Sequence, residues 1–168
     1  MDAPEYVPGH DLLADRIVVV TAAAGAGIGF AVAKKAVEEG ATVVISDVHE
    51  RRLDEAADVL AELSGDRPVT SLCDVRDENQ VQGLLDAAVA AHGRIDVMVN
   101  NAGLGGDTPL VEMQDDEWER VLDITLTGAM RCTRAAMRIM GEQGHGVIVN
   151  NASVLGWRAQ AGQSHYAA

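Results

Sequence analysis

The chain has 168 residues, 48% hydrophobic but only 3% aromatic, with a formal net charge of −13. That length makes about one domain, which buries roughly 70% of its unfolded surface. The acidic balance and the lack of a basic stripe exclude a nucleic-acid binder and make an anionic membrane surface repulsive. No apolar run approaches the roughly 18 residues needed to cross a bilayer. The first fifteen residues have no basic start and no apolar stretch, so they are not a signal peptide. The cytoplasm is the expected location. Cys73 and Cys132 stand far apart with no Cys-x-x-Cys spacing, which argues against a disulfide framework or a zinc site.

Residues 1–15 read as a loose, flexible polar arm carrying Pro4 and Pro8, and residues 16–168 as the domain proper. Residues 16–21 (RIVVVT) form an apolar run of the kind found in buried parallel strands. A small-residue turn follows over 22–29. Residues 30–39 have helical spacing and stop at Gly40. Residues 41–47 (ATVVISD) are a second strand, 50–63 a charged amphipathic helix, and 69–73 a third, short strand. Residues 77–92 form the next helix, with Asp77 as its N-cap and Gly93 as its stop. Residues 95–100 (IDVMVN) are a fourth strand. Residues 115 to about 142 form one long helix, stopped by Gly144, and 147–150 (VIVN) a fifth strand before a Ser/Gly-rich loop. This alternation predicts an α/β fold, a Rossmann-like doubly wound parallel sheet with helices on both faces. Right-handed crossovers leave few ways to wind it.

The strongest chemical signal is the turn Thr21-Ala22-Ala23-Ala24-Gly25-Ala26-Gly27-Ile28-Gly29. Glycines let a backbone turn tightly and approach a pyrophosphate, and the helix that follows offers unpaired N–H groups and a positive dipole end. Gly25, Gly27, Ile28 and Gly29 are therefore candidate dinucleotide contacts. Asp47, eighteen residues after Gly29, ends the second strand. A carboxylate there accepts hydrogen bonds from ribose hydroxyls and repels a 2′-phosphate, which favours NAD over NADP. His49, Arg51 and Arg52 lie close enough to offset part of that repulsion.

At this point the chain resembles the short-chain dehydrogenase/reductase family. Asn100-Asn101-Ala102-Gly103 stands where that family carries its N-N-A-G signature, and Cys73-Asp74-Val75 matches its adenine-contacting segment. Asn150-Asn151-Ala152-Ser153 ends the fifth strand at the family's serine position, and Tyr166 follows thirteen residues later. The resemblance implies a nicotinamide cofactor contacted by Asp74, Val75, Asn101, Ala102 and Gly103 besides the turn. It implies Ser153 as the hydroxyl that orients a substrate oxygen and Tyr166 as the general acid/base. Phenol has a reference pKa of about 10, so that role needs nearby positive charge. The family draws this charge from a lysine four residues past the tyrosine, beyond Ala168. The implied reaction interconverts a secondary alcohol and a ketone.

The chain departs from the family pattern in three places. The turn is T-G-x-x-x-G-x-G in the family. Here either Ala23 takes the first glycine's place, or Thr21 is retained and one residue is inserted. Thr125 stands where the long helix usually carries a water-holding asparagine, and a hydroxyl there is a candidate for the same task. The last two strands of the family's sheet are missing, so a piece of a longer protein is expected. Residues 154–165, with Trp157 and Arg158, correspond to the family's substrate-bordering loop. The stretch NNASVLGWRAQAGQSHYAA, with TAAAGAGIG, resembles actinobacterial members of sterol breakdown, which act on bulky alicyclic acids or their CoA thioesters. Family members are usually tetramers, and a homo-oligomer, tetramer or dimer, is expected. Two other readings stay open: a non-catalytic nucleotide-binding module or truncated inactive homologue, and, more weakly, an extended-type nucleotide-sugar enzyme.

Overall fold

The computed structural model describes residues 4–168. It contains β1 (Ile17–Val20), α1 (Ile28–Glu38), β2 (Thr42–Asp47), α2 (Glu50–Ser64), β3 (Val69–Leu72), α3 (Glu78–His92) and β4 (Val97–Asn100). Then come α4 (Asp115–Leu122), a π-helical turn (Asp123–Thr127), α5 (Gly128–Gln143), β5 (Val147–Asn150), a 3-10 turn (Val154–Gly156) and α6 (Ser164–Ala167). The strands form one all-parallel sheet in the order β3-β2-β1-β4-β5. The reversal of winding falls between β1 and β4, as in a doubly wound Rossmann-like fold.

The two faces of the sheet explain the apolar runs. Successive side chains on a strand point to opposite faces. Val18 and Val20 of β1, with Val43 and Ile45 of β2, pack against Ala33 and Ala36 of α1 and Leu53, Ala57 and Leu60 of α2. Val19, Val44 and Met98 face the other way, against Val81, Leu84 and Leu85 of α3 and Cys132, Ala135 and Ala136 of α5. Both faces are covered, so β1 cannot alternate with polar residues. Burial pushes the Cys73 thiol up to about 11 and the Cys132 thiol to about 12, so both stay protonated and unreactive at neutral pH. Among the described residues no helix is long and apolar enough to cross a membrane.

Local punctuation follows the chemistry of the caps. Asp77 caps α3, its carboxylate accepting from Asn79 N and Gln80 N, and Gly93 closes the helix in the left-handed region at φ 77°. Besides β4 starting at Val97 rather than at residue 95, and the 3-10 turn and α6 standing within the expected loop after β5, three segments differ from the sequence expectation. First, α1 begins at Ile28 rather than Phe30. Second, the expected single helix over 115–142 is broken by the π turn at Asp123–Thr127, where the Thr125 hydroxyl bonds to the backbone of Leu104. The first turn of α5 also sits hard on the core, because a Cβ on Gly128 would come within 2.6 Å of Val75 Cγ2. Third, the arm, expected to be loose, has no helix or strand over 4–15 but is fastened to the end of α1. The Glu39 carboxylate accepts from His10 N at 2.8 Å and Leu12 N at 3.2 Å, Lys35 Nζ donates to Val7 O at 2.8 Å, and the Tyr6 hydroxyl meets the Glu38 carboxylate.

The amino-terminal end of the sheet is tied by one acid. Asp96 is 4% exposed. It accepts from Ile17 N at 2.8 Å and Arg94 Nε at 2.9 Å, with Arg16 and His145 3.7 and 3.3 Å away. Burial pushes its carboxyl upward, but the Ile17 amide and the Arg94 guanidinium outweigh this and hold it below the usual carboxylate range. A depressed folded value means the contribution to stability is present above the unfolded value of about 3.9 and is lost as pH falls through the folded value. Asp96→Asn should cost about 1–3 kcal/mol at pH 7. The gap between the two proteins in urea unfolding should narrow as pH falls below about 4, where the unfolded wild-type carboxylate takes up a proton while the folded one stays ionised to lower pH.

Candidate active site

The turn after β1 is built on Thr21. Its hydroxyl accepts from Asn101 N at 3.0 Å and Ala102 N at 3.1 Å, across from β4. Asn101 Nδ2 donates in turn to the carbonyls of Thr21 and Ala22, each at 3.1 Å. Ala22 takes the positive φ of 50° that a first glycine would adopt without strain. The anchoring by Thr21 and the positive φ of Ala22 favour the register in which Thr21 is retained and the turn carries one extra residue. Gly29 admits no side chain, since a Cβ there would overlap Ala22 O and Asn101 Nδ2. Gly27 is the N-cap of α1, and a Cβ on it would meet nothing within 4 Å. Nothing caps α1 with a side chain and its first turn holds no acid, unlike α3 with its Asp77 cap, so its leading N–H groups remain available to an anion.

Two adjoining cavities open at the carboxyl ends of the strands. The larger, about 530 Å³, is lined by Thr125, Ser153 and Tyr166, with Leu122, Leu126, Ala129 and Met130 as apolar wall. The second, about 360 Å³, is lined by Asp47, Asp74, Val75, Ala102 and Gly103, with Cys73 and His49 beside them. Ala102 lines both. Gly25, Gly27, Ile28 and Gly29 line neither. They form the turn itself, and Ile28 is 64% exposed. Asn101 serves the turn rather than a cavity wall.

Each acid in the smaller cavity has a partner. Asp47, only 9% exposed, accepts from Ala24 N at 3.2 Å and His49 N at 3.1 Å, so it holds the glycine-rich turn as well as facing the cavity. Asp74 is gripped by the Arg76 guanidinium, with Nε 3.0 Å from both carboxylate oxygens. The Arg76 side chain holds the Asp74 carboxyl below its ordinary range. Asp74 therefore presents an ionised carboxylate already shared with a cation.

In the larger cavity, Ser153 Oγ accepts from Leu155 N at 3.2 Å, which leaves its proton free to donate outward. The Thr125 hydroxyl accepts from Leu104 N at 3.0 Å and lies 3.2 Å from Leu104 O. Its proton is committed to that carbonyl, so any water it held would have to donate to it. Sequence reasoning passed over two features here. Asn100 donates to Thr133 Oγ1 at 2.9 Å and Asn150 Oδ1 at 2.8 Å, all three residues lining the cavity. The paired N-N dipeptides were visible in the sequence, but not that they pair with each other. His165, fully enclosed beside Tyr166, carried no sequence signal.

A family model described as short chain dehydrogenase matches residues 16–168. The chain belongs to the short-chain dehydrogenase family. A curated family member from Mycobacterium tuberculosis (strain ATCC 25618 / H37Rv) is 59% identical over 167 residues, covering 99% of this chain and 64% of that protein. It is named (5R,7aS)-5-hydroxy-7a-methyl-1-oxo-2,3,5,6,7,7a-hexahydro-1H-indene-carboxyl-CoA reductase. The chain thus spans a little under two thirds of that relative's length. A short chain dehydrogenase from Mycobacterium smegmatis, known from its crystal structure, superposes with a TM-score of 0.95 at 57% identity, covering 99% of this chain and 70% of that one. An NAD+-bound xylitol dehydrogenase superposes with a TM-score of 0.87 at 34% identity, covering 92% of this chain and 59% of that one.

The Thr21 hydroxyl gives a direct test of the turn. Thr21→Val keeps the shape but leaves two part-buried N–H groups without their acceptor. It should destabilise the protein by about 1–3 kcal/mol in chemical denaturation, with Thr21→Ser recovering most of the loss.

Proposed function

We propose that the protein carrying this chain is an NAD-dependent oxidoreductase that interconverts a secondary alcohol and a ketone on a bulky alicyclic acid or its CoA thioester. The observation that carries the reading is the shared wall at Ala102. It joins a cavity bearing a serine and a tyrosine hydroxyl to one bearing the acids expected to face a nucleotide.

The residues fit a dinucleotide. Gly29 leaves no room for a side chain in the turn, Gly27 opens onto free space, the uncapped α1 amides are available to an anion, and Asp47 offers a carboxylate to ribose hydroxyls. The nicotinamide, when bound, supplies or accepts the hydride. The protein's own part is orientation and proton transfer. Ser153 donates to the substrate oxygen, and Tyr166 gives or takes the proton at that oxygen. The cation that favours the phenolate is expected four residues past Tyr166. Asp47 at the ribose end disfavours a 2′-phosphate, which supports NAD over NADP.

The apolar wall of Leu122, Leu126, Ala129 and Met130 supports a bulky carbon skeleton, as in the substrate named for the mycobacterial relative. Trp157, 94% exposed, and Arg158 follow Gly156 of the cavity lining and suit an apolar group joined to an anionic one. Met137 stands exposed on α5 beyond the cavity, which supports self-association of that helix with a second copy.

Tyr166→Phe should lower kcat by about 10²–10⁴-fold while NAD affinity, followed by fluorescence titration, stays within about threefold. Turnover at the wild-type rate in that variant would remove the proton-transfer role. In the wild type, kcat/KM with NAD should exceed that with NADP by at least about tenfold, a difference of about 1.4 kcal/mol.

A further inference from the structure

The residue before the proposed proton carrier has no part in the chemistry above, yet it is among the most enclosed side chains in the protein. His165 is 1% exposed and is among the residues lining the cavity at the start of α6. Its Nδ1 accepts the backbone N–H of Tyr166 at 3.0 Å. A ring that accepts at Nδ1 carries its proton on Nε2. Nε2 is buried without a hydrogen-bond partner among the described residues, and Glu117 Oε1 on α4 lies 3.4 Å from it. That same oxygen accepts the Thr108 hydroxyl at 2.7 Å, and Thr108 N donates to Gly162 O at 3.0 Å, just ahead of α6. A Cβ on Gly106 would overlap the ring, so the loop after β4 has glycine where the imidazole needs room.

We propose that His165 is a positioning residue. Together with Glu117 it fixes where the Tyr166 hydroxyl stands in the cavity, without itself touching substrate or cofactor. The inference rests on the reading of Tyr166 as proton carrier. The imidazole grips the tyrosine's own amide within the first turn of α6 and faces Glu117 on α4, so the start of α6 is tied to a different element through this one ring. His165 is among the residues that line the cavity, but both ring nitrogens are turned to protein, Nδ1 to the Tyr166 amide and Nε2 towards Glu117, so neither is offered to a substrate there. The gain is in geometry, and a misplacement of about 1 Å at a reacting group costs up to about a hundredfold in rate.

The test compares Glu117→Leu, Glu117→Gln and Gly106→Ala in the intact protein. Glu117→Leu and Gly106→Ala should lower kcat by about ten- to a hundredfold, with KM and NAD Kd held within about threefold. Glu117→Gln, which retains an acceptor oxygen, should recover most of the loss. Independently of turnover, long-range 1H–15N spectra should show His165 protonated on Nε2 in the wild type and a tautomer mixture in Glu117→Leu. A wild-type ring protonated on Nδ1 overturns the inference. So does a Glu117→Leu protein with the wild-type kcat, or an equal fall in kcat, NAD affinity and Tm in Leu and Gln variants alike. Tyr166→Phe separates the two levels. If that variant still turns over, the proton-transfer reading fails. If it is dead while Glu117→Leu runs at the wild-type rate, the positioning role alone fails.

Discussion

Two asparagine pairs close the carboxyl end of the sheet, and the rest of the site is hung from them. Asn100 and Asn150 are register partners on β4 and β5 and share a 2.8 Å hydrogen bond. One residue further on, Asn151 donates to Asn101 at 2.9 Å. Asn101 then reaches back to the carbonyls of Thr21 and Ala22 after β1. The glycine-rich turn, the middle of the sheet and the serine-bearing loop are thereby one connected hydrogen-bonded unit. Amides suit this task because each offers both donors and an acceptor in one plane, so a side chain can serve two strands at once. Partly buried networks of this kind are worth more intact than the sum of their single deletions.

The two ends of the sheet divide the labour. At the amino end the charge is self-contained, with Asp96 meeting Arg94, Arg16 and His145. At the carboxyl end the polar groups keep capacity to spare: an unfilled donor on Ser153, uncapped amides on α1 and carboxylates at the wall of the smaller cavity. Ligands of open parallel sheets collect at that end because the helix N-termini and strand-end loops gather there. In a chain of strongly negative net charge, the first turn of α1 is thus kept free of acids and of side-chain caps.

Most of the fold was legible because the apolar runs and glycine stops are local signals. β1, β2 and β4 read directly as buried strands, and Asp77 and Gly93 marked both ends of α3. The π turn was not legible. Residues 115–142 keep one helical period throughout, and the bulge stands opposite Leu104, twenty-one residues away. The docking of the arm escaped for the same reason, since Glu39 binds His10 and Leu12 from across α1. In the site, Ser153, Tyr166, Asp47 and Asp74 could be named from motif and strand end. Glu117 and His165, forty-eight residues apart, share no pattern. Their pairing exists only once the β4 loop has folded beneath α6.

Asp47 has two employments, and this constrains how the protein could be altered. Its carboxylate faces the smaller cavity, but its two oxygens also hold Ala24 N and His49 N. A designer wishing to admit a phosphorylated nucleotide would begin by replacing this acid. The same replacement would release the turn proposed to receive the nucleotide. Altered preference and a slackened binding loop would therefore arrive together, and natural drift faces the same barrier. Asparagine offers no way round this, since its one oxygen would hold a single amide and its NH2 would stand against the other donor.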